Sequence, residues 1–227
     1  MSDLIYPKFE TLSLPENIVN YPILSPMPYL QYTLSEDVCN LLMATLNTFG
    51  QDQFYPVSTS GKQESETLGK GSVRLTNYDV SFAQYLTEEL SAYVPAQLHL
   101  NPHTPCDWES QNPLGYNVWN FMGISPLFRY MKYTKDSWHV PHYDASHYNK
   151  EDPLLRTLYS GVLYLTNNKS GATAFVNDKQ GRIPFKNRNK DDWTRQAEYS
   201  EVNNWSLPSK GKIIIFPHGA CHSVFPL

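Results

Sequence analysis

The clearest indication of the fold is GKIIIFPHGACHSVFP, residues 211–226, near the end of the 227-residue sequence. Its three isoleucines and Phe216 form a short, near-continuous apolar run, which is typical of a strand buried on both faces. The run ends at Pro217 and is followed by two histidines, His218 and His222. Histidines that follow a core strand can lie at the same end of a β-sandwich as a polar cluster from earlier in the chain.

Strand-like patterns extend back from this run to Phe128. FRYMKY (128–133) alternates, TLYSGVLYLT (157–166) is β-branched and aromatic, TAFV (173–176) is short, and residues 167–170 form a turn between strands. Before them, residues 33–49 and 81–94 have the apolar spacing of helices. Thr33 or Ser35 can cap the first helix, and Ser81 with Gln84 can form a capping box for the second. Residues 1–32, 58–72 and 101–127 are expected to be extended or irregular. The order is helices first, then an antiparallel β core.

Composition excludes several classes of protein. Hydrophobic residues make up 41% and charged residues 18%, which is ordinary for a globular domain. The net charge of −4 argues against a nucleic-acid partner or a membrane surface. Neither a signal peptide nor an apolar run of about 18 residues is present. Three widely spaced cysteines, Cys39, Cys106 and Cys221, favour a reducing compartment, so we expect a cytoplasmic protein.

The earlier polar cluster is SWHVPHYDAS, residues 137–146, where one residue separates His142 from Asp144. Side chains at i and i+2 of a strand point to the same side, so these two can converge on one ion. The pair alone is weak, because the same residues could belong to a solvent-facing loop. A third ligand, from His218 or His222, would leave three coordination positions open. Such a site suits non-haem Fe(II) with a chelating cosubstrate and O₂.

Residues 129–226 resemble the Fe(II)/2-oxoglutarate-dependent dioxygenases, and within them the prolyl 4-hydroxylase-like branch. The resemblance rests on three stretches in the family's order: YMKYTKDSWHVPHYD (130–144), RTLYSGVLYLTNNKSGATAF (156–175) and GKIIIFPHGACH (211–222). It implies one mainly β domain over residues 1–227, a distorted double-stranded β-helix (jelly roll) with N-terminal helices packed on one sheet. Its parts would be an extended and helical region (1–127), a metal-binding β core (128–227) and, within that core, a polar insertion (179–210).

The resemblance also implies roles for individual residues. His142, Asp144 and His222 would bind Fe(II), and His218 would be a structural neighbour. The Tyr164 hydroxyl would meet the distal carboxylate of 2-oxoglutarate, and Tyr133 would contact the cosubstrate or line the pocket, although both tyrosines could simply be buried in strands. The implied reaction hydroxylates a C–H bond of a small molecule or peptide and releases succinate and CO₂. Ascorbate could serve as reductant.

Three questions stay open at this stage. The family places a Lys or Arg beyond its last histidine to pair with the 2-oxoglutarate carboxylate, so we expect the protein to continue past Leu227, or Arg129 or Arg156 to substitute. The insertion 179–210 is either a passive surface segment or a lid over the substrate. The rival functions are a zinc-dependent hydrolase and an inactive jelly-roll binding protein that keeps a metal site. The sequence does not indicate the oligomeric state.

Overall fold

The computed structural model describes residues 30–56, 69–99, 118–152, 154–180, 183, 187–189, 191 and 195–225. Cys106 lies outside the described residues, and so does most of the extended segment predicted for residues 1–32, of which only residues 30–32 are described. The helices are α1 (Glu36–Leu46) and α2 (Val80–Leu90). The strands are β1 (Leu30–Thr33), β2 (Tyr55–Pro56), β3 (Gly69–Tyr78), β4 (Gln97–His99), β5 (Val118–Asn120), β6 (Leu127–His142), β7 (Tyr159–Leu163), β8 (Ala172–Val176), β9 (Val202–Ser206), β10 (Lys212–Pro217) and β11 (His222–Phe225).

The strands form two main antiparallel sheets. The small sheet has the order β1-β10-β7, and the large sheet has the order β2-β3-β6-β11-β8-β9; β4 and β5 form a separate hairpin. The chain passes from the small sheet to the large one three times: between β1 and β2, between β7 and β8, and between β10 and β11. Two antiparallel sheets linked by such crossings make a jelly roll. The predicted mainly β fold and its strands over β6, β7, β8 and β10 are confirmed.

Strand β10 is the central strand of the small sheet, and both of its faces are buried. Ile213 and Ile215 pack against the apolar faces of α1 and α2, in a cluster that includes Val38 and Phe82. Ile214 and Phe216 point the other way and pack with Tyr164 and with Phe175 of the large sheet. This alternation explains the continuous apolar run in the sequence, since one face meets the helices and the other fills the space between the sheets. The predicted packing of the helices on one sheet is therefore confirmed.

The helices begin where acceptor side chains can cap them. Ser35 caps α1 and accepts a hydrogen bond from the backbone N–H of Val38, as predicted. The capping box predicted at Ser81 is wrong: Asp79 caps α2 and accepts from the N–H of Phe82 at 2.9 Å. A carboxylate at this position is favoured because it also meets the positive end of the helix dipole. No helix in the described ranges is both long enough and apolar enough to cross a bilayer.

Strand β3 is the main correction to the expected fold. Residues 58–72 were expected to be a loop, but β3 begins at Gly69 and pairs with β6 as far as Tyr78. Val73 and Leu75 pack beneath the helices in a cluster with Phe54 and Leu46, and the residues between them point to the opposite face. A polar composition hid the strand because only one of its faces is apolar.

The last part of the insertion 179–210 also belongs to the large sheet. Strand β9 pairs with β8 along its length. Before it, the buried Arg188 pairs with Asp178 at 3.3 Å, and Arg195 pairs with the buried Glu201 at 2.6 Å. Ala197 packs in a cluster with Cys221 and Val176, next to these ion pairs. The described part of this segment is therefore anchored on β8 and β11.

Candidate metal centre

Strand pairing places two histidines side by side. His142 is the last residue of β6, His222 is the first residue of β11, and the two are direct partners in the antiparallel register. Directly opposed residues project to the same face of a sheet. Their imidazole rings have centroids 4.2 Å apart. The two strand ends therefore form one site, although His142 and His222 are far apart in the sequence.

Asp144 completes a cluster with the two histidines. One carboxylate oxygen, Oδ1, lies 3.8 Å from His142 Nε2, and the other, Oδ2, lies 3.6 Å from His222 Nε2. One ligand atom from each of the three residues lies within 4.8 Å of the other two. The Ser160 hydroxyl, on β7 of the small sheet, donates a hydrogen bond to Asp144 Oδ2. This bond fixes the orientation of the carboxylate from the opposite sheet.

Backbone carbonyls determine the tautomers of both histidines. His142 Nδ1 lies 2.8 Å from the Val140 carbonyl oxygen, and His222 Nδ1 lies 3.0 Å from that of Ala220. A carbonyl oxygen only accepts, so each Nδ1 carries the hydrogen and each neutral ring presents a lone pair at Nε2. Both lone pairs face the Asp144 carboxylate, which is also an acceptor. A cation satisfies such a set of three acceptors, and carbonyl-bound Nδ1 atoms are the usual support of metal-binding histidines.

The protonation states agree with this arrangement. Burial, together with the adjacent His222, lowers the pKa of His142 to about 4, and burial also lowers the pKa of His222. Burial opposes ionisation of Asp144, but the two histidines and the Ser160 hydroxyl outweigh it and lower its pKa to about 2. At neutral pH the cluster therefore has two neutral imidazoles and one carboxylate. These are the protonation states in which each residue binds a metal.

The cluster suits a first-row divalent ion. Bonds of about 2.0–2.2 Å to nitrogen and oxygen place neighbouring ligand atoms roughly 3 Å apart, which small side-chain rotations would achieve here. Aromatic rings cover the His222 side of the cluster: the ring centroids of Phe216 and His222 are 4.7 Å apart, and Phe216 packs edge-on against Phe175. Two imidazoles and one carboxylate leave positions for further ligands, as in non-haem iron sites. The residues present thus fit Fe(II).

Two further histidines lie close to the cluster. His218 is buried; its backbone N–H donates to the Leu158 carbonyl, and its Nδ1 has no hydrogen-bond partner among the described residues. His139 was not among the predicted site residues, yet its ring centroid is 4.5 Å from that of His142. Burial, with His142 beside it, lowers the pKa of His139 to about 4. His139 and His142 are three residues apart and would point to opposite faces of a regular strand, so the irregular pairing of β6 with β11 was needed to bring them together.

The two predicted cosubstrate tyrosines occupy different settings. The buried Tyr164 hydroxyl lies 2.8 Å from Thr173 Oγ1 and 3.0 Å from the Ser206 carbonyl oxygen, so protein groups already bind it. Tyr133 has 41% of its surface exposed. Nevertheless, burial of its hydroxyl raises its pKa above the usual range, and the nearby Tyr164 and Asp144 add to this effect. The cosubstrate roles of both residues stay predictions.

Comparison with solved structures finds three matching chains, of which one is described here. A Pseudomonas putida prolyl-4-hydroxylase has a TM-score of 0.45 and 16% sequence identity to this chain, over 89% of this chain and 87% of that one. No family model and no curated protein matches the sequence. A similarity of this size is no guide to the activity or substrate of this chain, so the proposals below rest on the site itself.

Proposed function

We propose that this protein is an Fe(II)- and 2-oxoglutarate-dependent oxygenase that hydroxylates a C–H bond. The observation that carries the proposal is that His142 Nε2, His222 Nε2 and the Asp144 carboxylate lie close together, and that each offers a lone pair without a bound proton. The sequence resemblance around the same three residues supports it independently. When bound, Fe(II) with 2-oxoglutarate and O₂ would supply the oxidising power, with release of succinate and CO₂.

The protein side chains would hold and orient the reactants. His142 and His222 would bind the ion through Nε2, and Asp144 would bind it through the carboxylate oxygen that Ser160 leaves free. Phe216 and Phe175 would exclude water from one side, which strengthens electrostatic interactions in the site.

Tyr133 is the better placed of the two tyrosines to contact a cosubstrate. Its side chain is partly exposed, whereas that of Tyr164 is buried. Tyr164 would act mainly as a support, because its hydroxyl joins Thr173 to the backbone of β9. A cosubstrate carboxylate would then accept a hydrogen bond from Tyr133.

A zinc hydrolase with the same ligands would need a nearby general base. His139 and His218 lie beside the cluster and could serve as that base. Succinate release from 2-oxoglutarate therefore separates the oxygenase from a hydrolase with the same ligands.

The test measures succinate release from 2-oxoglutarate with Fe(II), O₂ and ascorbate, which keeps the iron reduced. The wild-type protein should form succinate, and His222→Ala should not, because two ligands do not retain the ion. His147→Ala is the matched control, since His147 is exposed and lies three residues beyond Asp144. A wild-type protein that binds Mn(II) but forms no succinate with any candidate substrate would contradict the proposal and favour the inactive binding protein.

A further inference from the structure

The face of the large sheet that points away from the small sheet carries a second group of side chains. Phe175 on β8 points towards the small sheet, so its neighbours Ala174 and Val176 point the other way. They form a buried cluster there with Cys221, and Tyr143 packs against this cluster. Cys221 and Tyr143 each adjoin a predicted metal ligand in the sequence. The outer cluster therefore lies directly behind the metal centre.

A series of hydrogen bonds continues from Tyr143 into the segment that follows β8. The Tyr143 hydroxyl donates to Asp178 Oδ2 at 2.5 Å, and Arg188 Nη1 lies 3.3 Å from the same oxygen. The other oxygen, Oδ1, accepts from the backbone N–H of Gln180 at 2.9 Å. Arg188 Nε donates to the Ile183 carbonyl at 2.7 Å. These bonds fix the Tyr143 hydroxyl relative to the backbone of this segment.

Gln180 and Asn189 hold two parts of the same segment together. The Gln180 side chain accepts from the backbone N–H of Asn189 at 2.6 Å and donates to its carbonyl at 3.0 Å. Two bonds between one side chain and one backbone residue leave little freedom in their relative position. Because Arg188 directly precedes Asn189, this pairing keeps the guanidinium beside Asp178.

The ion pair of Asp178 with Arg188 is buried, with 12% and 3% of the two side chains exposed. Removing two charges from water costs free energy that their mutual attraction often does no more than recover, so such a pair is a weak source of stability. It does supply direction, because the planar guanidinium and carboxylate groups bond in only a few geometries. In this protein the carboxylate is directed at the Tyr143 hydroxyl.

We propose that Asp178 and Arg188 are positioning residues for the metal centre, because they hold Tyr143 from behind the sheet and Tyr143 sets the spacing of His142 and Asp144. This inference rests on the proposed function, since it concerns the ligands of the same site. His142 ends β6, so Asp144 lies beyond the last strand pairing and depends on side chains for its position. Asp178, Arg188 and Tyr143 together form a brace behind the two ligands.

The test measures Mn(II) affinity by calorimetry and the free energy of unfolding in urea for the same set of proteins. Tyr143→Phe removes one oxygen atom and keeps the ring, and it should weaken Mn(II) binding about tenfold, as the loss of groups that orient metal ligands does. Arg188→Gln should weaken binding by a similar factor. Tyr199→Phe is the matched control, because Tyr199 is exposed at the edge of the same cluster, with its ring 6.3 Å from that of Phe225.

The double variant separates positioning from stability. If Arg188 acts through Tyr143, Arg188→Gln should weaken Mn(II) binding no further in a protein that already carries Tyr143→Phe. Its free energy of unfolding should still fall, because Asp178 loses a buried partner. A purely structural role would lower the stability of each variant and leave the Mn(II) affinity of the folded protein unchanged, which would overturn the proposal. Additive losses of affinity would also overturn it, since Arg188 would then act by another route.

The remaining outcomes distinguish this inference from the proposed function. If the wild type binds Mn(II) but forms no succinate, weaker binding by Tyr143→Phe would refute the oxygenase and leave the brace standing. A wild-type protein that binds no Mn(II) would refute both, because there would be no centre to position. If Arg188→Gln does not fold, the affinity of Tyr143→Phe alone decides, and a value equal to that of the Tyr199→Phe control overturns the proposal.

Discussion

Replacing Ser160 by alanine should weaken metal binding although Ser160 would not touch the ion. Its hydroxyl donates to Asp144 Oδ2 from the opposite sheet and helps to orient the carboxylate. The substitution leaves the backbone pairing of β7 with β10 intact, because Ser160 and Phe216 pair through main-chain atoms. The fold should therefore survive, and the change should be confined to the carboxylate.

The size of the effect follows from the bond that is lost. A hydrogen bond to a charged group contributes about 1.5–3 kcal/mol, which corresponds to about 10–100-fold in affinity. Residues that orient metal ligands have the same range of effects when they are removed. Asp144 keeps its place between the two histidines, so we expect the lower end, about tenfold weaker Mn(II) binding.

Calorimetric titration of Mn(II) into the purified protein measures this affinity, and thermal unfolding checks that both proteins are folded. Ser209→Ala is the matched control, because Ser209 is exposed near the start of β10. The control should bind Mn(II) like the wild type. If Ser160→Ala also binds Mn(II) like the wild type while remaining folded, the orienting role of Ser160 is refuted, and with it the idea that the small sheet takes part in the site.

Three other predictions address the ligands, the ion pair and the turn. His222→Ala should abolish stoichiometric Mn(II) binding in calorimetry, whereas His218→Ala should retain it; the reverse result would mean that the wrong histidine has been assigned. The hydrogen bonds from Arg195 are the main cause that lowers the pKa of Glu201 from 4.5 to about 2 in the folded protein. Ionised Glu201 should therefore add up to about 3 kcal/mol to the free energy of unfolding above pH 4.5, and this contribution should be lost as the pH falls towards 2. Acid unfolding of Glu201→Gln should therefore show a smaller loss over that window, and an identical pH profile would contradict the assignment. Gly211→Ala should lower stability by about 1–3 kcal/mol in urea unfolding, because Gly211 has a φ of 86° and a Cβ there would lie 2.5 Å from the Leu34 carbonyl oxygen; unchanged stability would show that the turn relaxes freely.

The features that the sequence predicted correctly are those whose signal is local. The apolar run at 213–216 indicated a strand with two buried faces, and the structure places the helices on one face and the large sheet on the other. The spacing of His142 and Asp144 indicated convergence, and the structure brings them together with His222. Their role as metal ligands stays a prediction.

The features that were missed depend on pairing between distant segments. Ser160 lies sixteen residues beyond Asp144, and only the fold of β7 over the cluster makes them neighbours. His139 lies within the stretch 137–146, but residues three apart on a regular strand point to opposite faces, so its place beside His142 depends on the irregular strand pairing. Strand β9 is short and contains two asparagines, so its pairing with β8 outweighs a weak local preference. The alternation of Val73 and Leu75 with polar residues did carry a strand signal for β3, which the polar residues before it obscured.

The hydrogen bond between Ser160 and Asp144 has a mechanical consequence. The two histidines belong to the large sheet and Ser160 belongs to the small one. An ion held by the cluster would therefore connect the two sheets at the end where the cluster lies. A ligand that binds only the closed form stabilises it by about 2.7 kcal/mol at a hundred times its dissociation constant. Without the ion, this end of the sandwich should open locally more often than the end covered by the helices. Amide hydrogens of β7 and β11 should then exchange faster in the metal-free protein, and adding Mn(II) should slow their exchange while leaving that of α1 and α2 almost unchanged.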